Sequence, residues 1–103
     1  MNKYLKLAHK LTKKSNAIHH KMCCVLVVGK SVKSIGFNRL YDHAEKRALR
    51  PHEDYTGGHA FVARGNGKTS KPCPSCRGYL ISAGIKRATY ISVDGTETTE
   101  IYK

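Results

Sequence analysis

The stretch YDHAEKRALR, residues 41–50, indicates the fold of this chain. It places two chemically reactive side chains, His43 and Glu45, at a predicted helix start. His43 stands two positions before Glu45, and thirty residues after His43 the stretch KPCPSC, residues 71–76, supplies two cysteines at a second predicted helix start. Histidine and cysteine are the residue types that bind zinc in proteins. Their order in a small chain predicts a fold in which the two helix starts meet.

Patterns of apolar residues predict the elements around these two stretches. Leu7 and Leu11 recur at helical spacing with lysines opposite, whereas MCCVLVVG is a continuous apolar run, typical of a strand buried on both faces. The predicted order is helix 2–14, strand 22–29, strand 32–37, helix 43–50, strand 59–64, helix 73–83, strand 87–93 and strand 98–102. This order predicts one domain over residues 1–103 with an α/β fold: a three-layer α/β/α architecture, a mixed five-stranded sheet, about three helices and a C-terminal β-hairpin.

The charge balance is strongly basic, with 19 Lys and Arg against 7 Asp and Glu and a net charge of +12. No acidic residue precedes Asp42. Such a field attracts polyanions, with nucleic acid first and an anionic membrane surface second. A surface that only keeps the protein soluble is the plainer alternative.

Residues 1–11 lack the continuous apolar segment of a secretion signal, and no apolar run approaches the length of a membrane span. We therefore expect an intracellular, cytoplasmic protein with no membrane partner, in which all four cysteines stay reduced. Cys23 and Cys24 lie inside the apolar strand and are expected to be core residues. The sequence predicts no oligomeric state.

The spacing of the remaining ligand-type residues favours a catalytic zinc site. His43, Cys73 and Cys76 supply three ligands, and a catalytic zinc keeps a fourth position open for water. Glu45 is near enough to exchange protons with that water without being a ligand. The alternatives are a redox pair of cysteines or a structural zinc with four ligands, for which His52 or His59 is available.

The two motifs together resemble the cytidine deaminase superfamily, whose signature is H-x-E followed by P-C-x-x-C. Here they read His43-Ala44-Glu45 and Pro72-Cys73-Pro74-Ser75-Cys76, and the resemblance extends over residues 1 to about 102. It implies one catalytic Zn²⁺ per chain and hydrolytic deamination of cytosine to uracil. It also implies that Glu45 protonates the ring nitrogen and then the departing ammonia.

The resemblance assigns two further contacts. SIGFNR is similar to the G-x-N segment of the family, so Asn38 is expected to bind the sugar. The backbone amide of Ala44 is expected to bond the base carbonyl. The short C-terminal hairpin resembles the branch that contains free-cytidine deaminases and bacterial toxin deaminases.

The basic composition favours cytosine within single-stranded nucleic acid as the substrate, with DNA preferred. The backbone phosphates are then expected to meet four cations, Arg39, Lys68, Lys71 and Arg77. Phe37 and Tyr41 are candidates to stack on a base, with core packing as the alternative for both. His59 is a candidate cleft residue.

Three other functions stay open at this point. The first is deamination of free cytidine, deoxycytidine or dCMP, which requires less positive charge than this chain carries. The second is a tRNA-type adenosine deaminase, favoured by the GFNR that precedes the HAE motif and opposed by the short C-terminal segment. The third is a non-catalytic zinc module that binds nucleic acid, in which Glu45 is only a helix-N-terminal carboxylate.

Overall fold

The computed structural model describes residues 2–15, 21–38, 43–50, 53–66 and 69–102. Its elements follow the predicted order of helices and strands. They are α1 (Lys3–Leu11, continued by a 3₁₀ turn over Thr12–Lys14), β1 (Met22–Val28), β2 (Ser31–Phe37), α2 (Ala44–Ala48), β3 (His59–Arg64), α3 (Pro74–Ser82), β4 (Arg87–Ile91) and β5 (Glu97–Ile101). The strands form one sheet in the order β2-β1-β3-β4-β5.

The sheet is mixed, as the sequence predicts. β3 and β4 run parallel, and the other three neighbouring pairs, β1–β2, β1–β3 and β4–β5, run antiparallel. The parallel pair needs a crossover connection, and α3 supplies it. β5 returns beside β4 through a turn at Gly95, so the C-terminal hairpin is present.

Two apolar cores separate three layers and confirm the α/β/α prediction. On one face of the sheet, Leu5 and Ala8 of α1 pack over Cys23, Val25 and neighbouring strand residues. On the other face, α2 and α3 cover a second cluster that includes Cys24, Leu26 and Leu80. Cys23 and Cys24 are fully buried, as expected for an interior strand.

Local signals explain where the helices begin and end. The Asn2 side chain caps α1 by accepting a hydrogen bond of 2.8 Å from the Tyr4 amide. α3 starts with Pro74 and is followed by Gly84 at φ 92°, a left-handed conformation that glycine adopts without strain. No helix in the described ranges has both the length and the apolar character required to cross a bilayer.

Two predicted elements are shorter in the structure. α2 ends at Ala48 instead of residue 50, and Leu49 is already extended at ψ 108°. Pro51 disfavours helical geometry at Arg50, the residue before it, so the helix cannot continue to residue 50. β4 ends at Ile91 instead of residue 93. Ser92 enters the tight turn to β5, with its amide bonded to the Thr96 carbonyl at 2.9 Å.

A close backbone contact fixes α2 on β2. A Cβ added to Gly36 would lie 2.2 Å from the Ala48 nitrogen and 2.5 Å from the Ala44 carbonyl oxygen. Two residues earlier on the same face, the Ser34 hydroxyl donates to the Ala48 carbonyl at 2.5 Å. The helix therefore rests directly on the strand, and this contact sets the position of the residues at its N-terminus.

We expect Gly36→Ala to lower the free energy of unfolding by about 3 kcal/mol, because the added methyl group forces α2 off the sheet. The matched control is Gly78→Ala, at an exposed position of α3 where an added Cβ meets nothing within 4 Å. That change should raise stability by about 0.5–1 kcal/mol, the gain of replacing a helical glycine. Urea unfolding followed by circular dichroism measures both, and an unchanged midpoint for Gly36→Ala would contradict the close contact.

Candidate metal centre and active site

Three ligand-type side chains converge at the N-termini of α2 and α3. His43 is the residue before α2, Cys73 is the residue before α3, and Cys76 lies in the first turn of α3. We call these three residues the metal group, and their ligand atoms all lie within 4.8 Å of one another. The distance from Cys73 Sγ to His43 Nδ1 is 3.7 Å, close to the roughly 3.5 Å that tetrahedral Zn–S and Zn–N bonds imply.

Glu45 lies beside this group in a buried position. Its side chain is 2% exposed. Its Oε1 has no hydrogen-bond partner among the described residues. Burial raises its pKa above the ordinary range, and its own backbone amide, His43 and Cys76 offset part of that rise. A buried carboxyl that is held near a reaction site and has an elevated pKa is suited to taking up and returning a proton.

The donor set fits a divalent zinc ion. Burial raises the pKa of the Cys76 thiol, and the nearby Glu45 and Cys73 raise it further. A cation between these groups would relieve their mutual repulsion and stabilise the thiolate, the form that binds metal. One imidazole and two thiolates leave the fourth tetrahedral position open, as in catalytic zinc sites.

No fourth ligand joins the group from the parts of the chain that the structure describes. His59, one of the two histidines considered for a structural site, lies elsewhere, and His52 falls outside the described residues. His59 Nε2 bonds the Thr89 hydroxyl at 2.5 Å, and its ring stacks on Phe61 with centroids 4.0 Å apart.

His59 is therefore not brought to the metal group. Phe61 belongs to the core under α1, and alternation along β3 places His59 on that same face, opposite to α2 and α3. Burial, followed by the charge of Arg87, lowers the pKa of His59 to about 4. Phe37 also packs against the α1-side core, which agrees with the core-packing alternative for that ring.

Asn38 stands at the end of β2, but its side chain is used within the fold. Its Oδ1 accepts hydrogen bonds from the Met22 amide at 2.8 Å and from the Ser15 hydroxyl at 2.7 Å. It thereby joins the end of β2 to the start of β1 and to the segment after α1. Ala44, by contrast, is buried in the first turn of α2, where backbone amides have no acceptor within the helix.

A cavity of about 580 Å³ opens next to Cys73. Lys71 and Arg77 line it, as does Glu100 of β5. Arg77 Nε donates to Glu100 Oε1 at 2.5 Å, and the guanidinium lies 5.3 Å from the centre of the Tyr102 ring. Two of the four expected phosphate contacts, Lys71 and Arg77, therefore lie beside the metal group, and Arg77 already has a carboxylate partner.

The remaining expected site residues, Arg39, Tyr41 and Lys68, lie outside the described residues. Glu100 is a neighbour of the metal group that was not expected from the sequence. The pairing of Ala88 with Glu100 places it on the face of the sheet that carries α3. Only the register of β4 and β5 reveals that position, and the strand pattern alone does not fix the register.

The family model described as the cytidine and deoxycytidylate deaminase zinc-binding region matches residues 1–92. The apo crystal structure of a dCMP deaminase from the cyanophage S-TIM5 is similar in fold, with a TM-score of 0.67 and 24% identity over 89% of this chain and 82% of that one. The same phage enzyme in complex with dCMP and dUMP gives a TM-score of 0.65 and 25% identity over 81% and 74% of the two chains.

A larger protein shares the same fold in part. RibD of Acinetobacter baumannii gives a TM-score of 0.61 with 24% identity, over 81% of this chain and 25% of RibD. No curated protein matches the chain in a sequence search.

We expect the purified protein to hold one zinc ion per chain, and Cys73→Ser to hold almost none, because the remaining two ligands cannot retain the metal. Cys23→Ala is the matched control, since Cys23 is buried on the α1 side of the sheet. Metal content by mass spectrometry after gel filtration tests this. Equal zinc in Cys73→Ser and wild type would show that the metal binds elsewhere.

Proposed function

The chain belongs to the cytidine and deoxycytidylate deaminase family, and from that premise we propose that it hydrolyses the C4 amino group of cytosine in a free pyrimidine nucleotide of the dCMP type. The observation that carries the proposal is the buried Glu45 carboxyl, with an unpartnered Oε1 among the described residues, next to His43, Cys73 and Cys76. No other described carboxylate is nine-tenths buried.

His43, Cys73 and Cys76 would hold the metal. Zinc, when bound, supplies Lewis acidity that makes water a nucleophile at neutral pH. Two thiolate ligands require reduced cysteines, and all four cysteines are free in the structure. We therefore also propose that this single deaminase domain works inside the cell.

Glu45 moves the protons in this proposal. Its Oε1 takes a proton from the attacking water and gives one to N3 of the pyrimidine as the C4–O bond forms. Glu45 then takes the remaining proton from the new C4 hydroxyl and passes it to the C4 amino group. Ammonia leaves as the C4–N bond breaks, and the C4 oxygen becomes a carbonyl. The raised pKa of Glu45 suits both directions of transfer, because a carboxyl whose pKa is shifted toward neutral pH can both take up and release a proton.

The backbone amides at the start of α2 would orient the base. Ala44 lies in the first turn, where an amide can donate to the base carbonyl without breaking a helical bond. The side chain of Asn38 holds β1 and Ser15 through its Oδ1, so any sugar contact by Asn38 would use another edge of the amide or replace those bonds.

The cavity beside Cys73 supports the nucleotide as substrate. Its volume of about 580 Å³ lies within the range of small-molecule sites. Lys71 is an exposed cation in its lining and can meet one phosphate group. The phage relative at 25% identity was crystallised with dCMP and dUMP. These observations favour the free nucleotide over single-stranded nucleic acid, the substrate that the basic composition favours.

Cytosine in single-stranded nucleic acid is the second candidate, and the observation that favours it is electrostatic. The net charge of +12 exceeds what a mononucleotide requires. The outer side of α1 adds to this field, since Lys3, Lys6 and Lys10 are all exposed.

Glu45→Gln should lower kcat for dCMP deamination by a factor of about 10³ or more while zinc stays bound, because the variant keeps the ligands and loses the proton acceptor. Loss of absorbance as dCMP becomes dUMP measures the rate, and metal analysis confirms occupancy. Glu53→Gln, at an exposed carboxylate, is the control and should keep wild-type activity.

The same assay separates the substrates when deoxycytidine and a single-stranded oligonucleotide with one cytosine are tested beside dCMP. Uracil in the oligonucleotide with dCMP untouched would overturn the nucleotide proposal in favour of the second candidate. No deamination of any of the three by zinc-loaded protein would argue against cytosine as the substrate base.

Lys71→Gln should raise KM for dCMP about tenfold and shrink the preference for dCMP over deoxycytidine, because a charge-assisted contact to the phosphate is lost. Lys86→Gln removes the same charge at an exposed position outside this cavity and serves as the control. Steady-state kinetics with both substrates measure the effect. An equal rise in KM for dCMP and deoxycytidine would place the phosphate elsewhere.

A further inference from the structure

A continuous groove follows the outer edge of β2, the last strand on one side of the sheet. It consists of two adjoining cavities of about 310 and 530 Å³ that share Ile35 and Arg50 in their linings. We call it the β2-edge groove and define it by Lys14, Asn38, Arg47 and Arg50 at one end and by Lys33 and Glu53 at the other. Neither Arg47 nor Arg50 was among the expected nucleic-acid contacts.

The charge of the groove is concentrated at the end near Asn38. Lys14 reaches it from the 3₁₀ turn after α1, whereas Arg47 and Arg50 come from α2 and the residues that follow it. At the other end, Glu53 pairs with Lys33 at 3.5 Å and offsets its charge. Three cations that converge on one cavity form a site for anions.

The groove is poorly suited to an added β-strand, the usual partner of an exposed sheet edge. Arg50 Nη2 donates a hydrogen bond of 3.2 Å to the Ile35 carbonyl, so a side chain already occupies an acceptor of β2. A second strand would have to displace this guanidinium and pack against a row of cations. An anionic occupant would gain from the same groups.

The position of the groove relates it to the candidate active site. Asn38 lies five residues before His43, and α2 carries both Arg47 and the buried Glu45. α2 packs against α3 and the metal group as well as against β2. The groove therefore begins beside the helix that positions Glu45 and continues along the strand.

We propose that the β2-edge groove binds the phosphate backbone of single-stranded nucleic acid. A mononucleotide carries one phosphate group, whereas three cations on two sides of the groove, with exposed Lys10 and Lys13 next to Lys14, match successive phosphates of a strand. This binding function is additional to the proposed hydrolysis of a free nucleotide. It does not rest on that reaction, because an oligonucleotide without cytosine tests it.

The test is fluorescence anisotropy with a labelled oligothymidylate and the full chain. The variant Lys14→Gln/Arg47→Gln/Arg50→Gln should bind about 50-fold more weakly at 0.15 M salt, with a salt dependence lower by about 2 in log–log slope, as three lost phosphate contacts give for a single strand. The matched control is Lys3→Gln/Lys30→Gln/Lys86→Gln. It removes the same charge from exposed positions outside the groove.

Equal losses in both triple variants would overturn the proposal, because binding would then follow net charge and not the groove. A groove variant that binds like wild type would also overturn it, as would binding to anionic phosphatidylserine vesicles with no binding to the oligonucleotide.

Melting temperatures of both triple variants show whether each variant is folded. Photo-crosslinking of a 4-thiothymidine oligonucleotide to the wild-type chain gives a second readout, and crosslinked peptides without groove residues would contradict the proposal.

Discussion

The metal group depends on the absence of a side chain at Gly36. Backbone atoms of α2 lie within 2.6 Å of the position that a Cβ of that residue would occupy, so the helix approaches β2 more closely than any other residue would allow. That approach sets where α2 begins and hence where His43 and Glu45 lie relative to Cys73 and Cys76. A glycine inside a strand often marks such an approach of another backbone. Here the relative positions of four reactive side chains depend on the absence of a side chain at Gly36.

The pKa values at the site are raised because a carboxyl and several thiols lie close together in the protein interior. Glu45, Cys76 and Cys24 all have pKa values raised first of all by burial, and Glu45 raises those of both cysteines further. Without a cation these groups favour their neutral forms. Cys24 is fully buried in β1, where its neutral thiol packs in the apolar core. Cys76 and Cys73, at the start of α3, are the thiols that a metal can reach together with His43.

The motifs and the apolar pattern were sufficient to predict the order of the elements, the three layers and the convergence of His43, Cys73 and Cys76, because these depend on local spacing. The role of these three residues as metal ligands stays a prediction. The position of His59 could not be predicted, since β3 is apolar on both faces and its alternation does not reveal which face meets α2. The Arg77–Glu100 pair depends on the register of two strands, and the β2-edge groove depends on packing between α1, β2 and α2. Such features arise from tertiary contacts that no single stretch of sequence encodes.

The separation of His43 and Cys73 has a consequence for the unfolded chain. The two residues are 30 positions apart, and between them lies β3, the middle strand of the sheet. Ligands that share one ion close this stretch into a loop, as a covalent crosslink would. A chain that unfolds while it keeps its metal loses conformational entropy worth about 3.6 kcal/mol for a loop of this length. The ion would thus restrict the disordered ensemble and keep the central strand close to both of its helices before any core has formed.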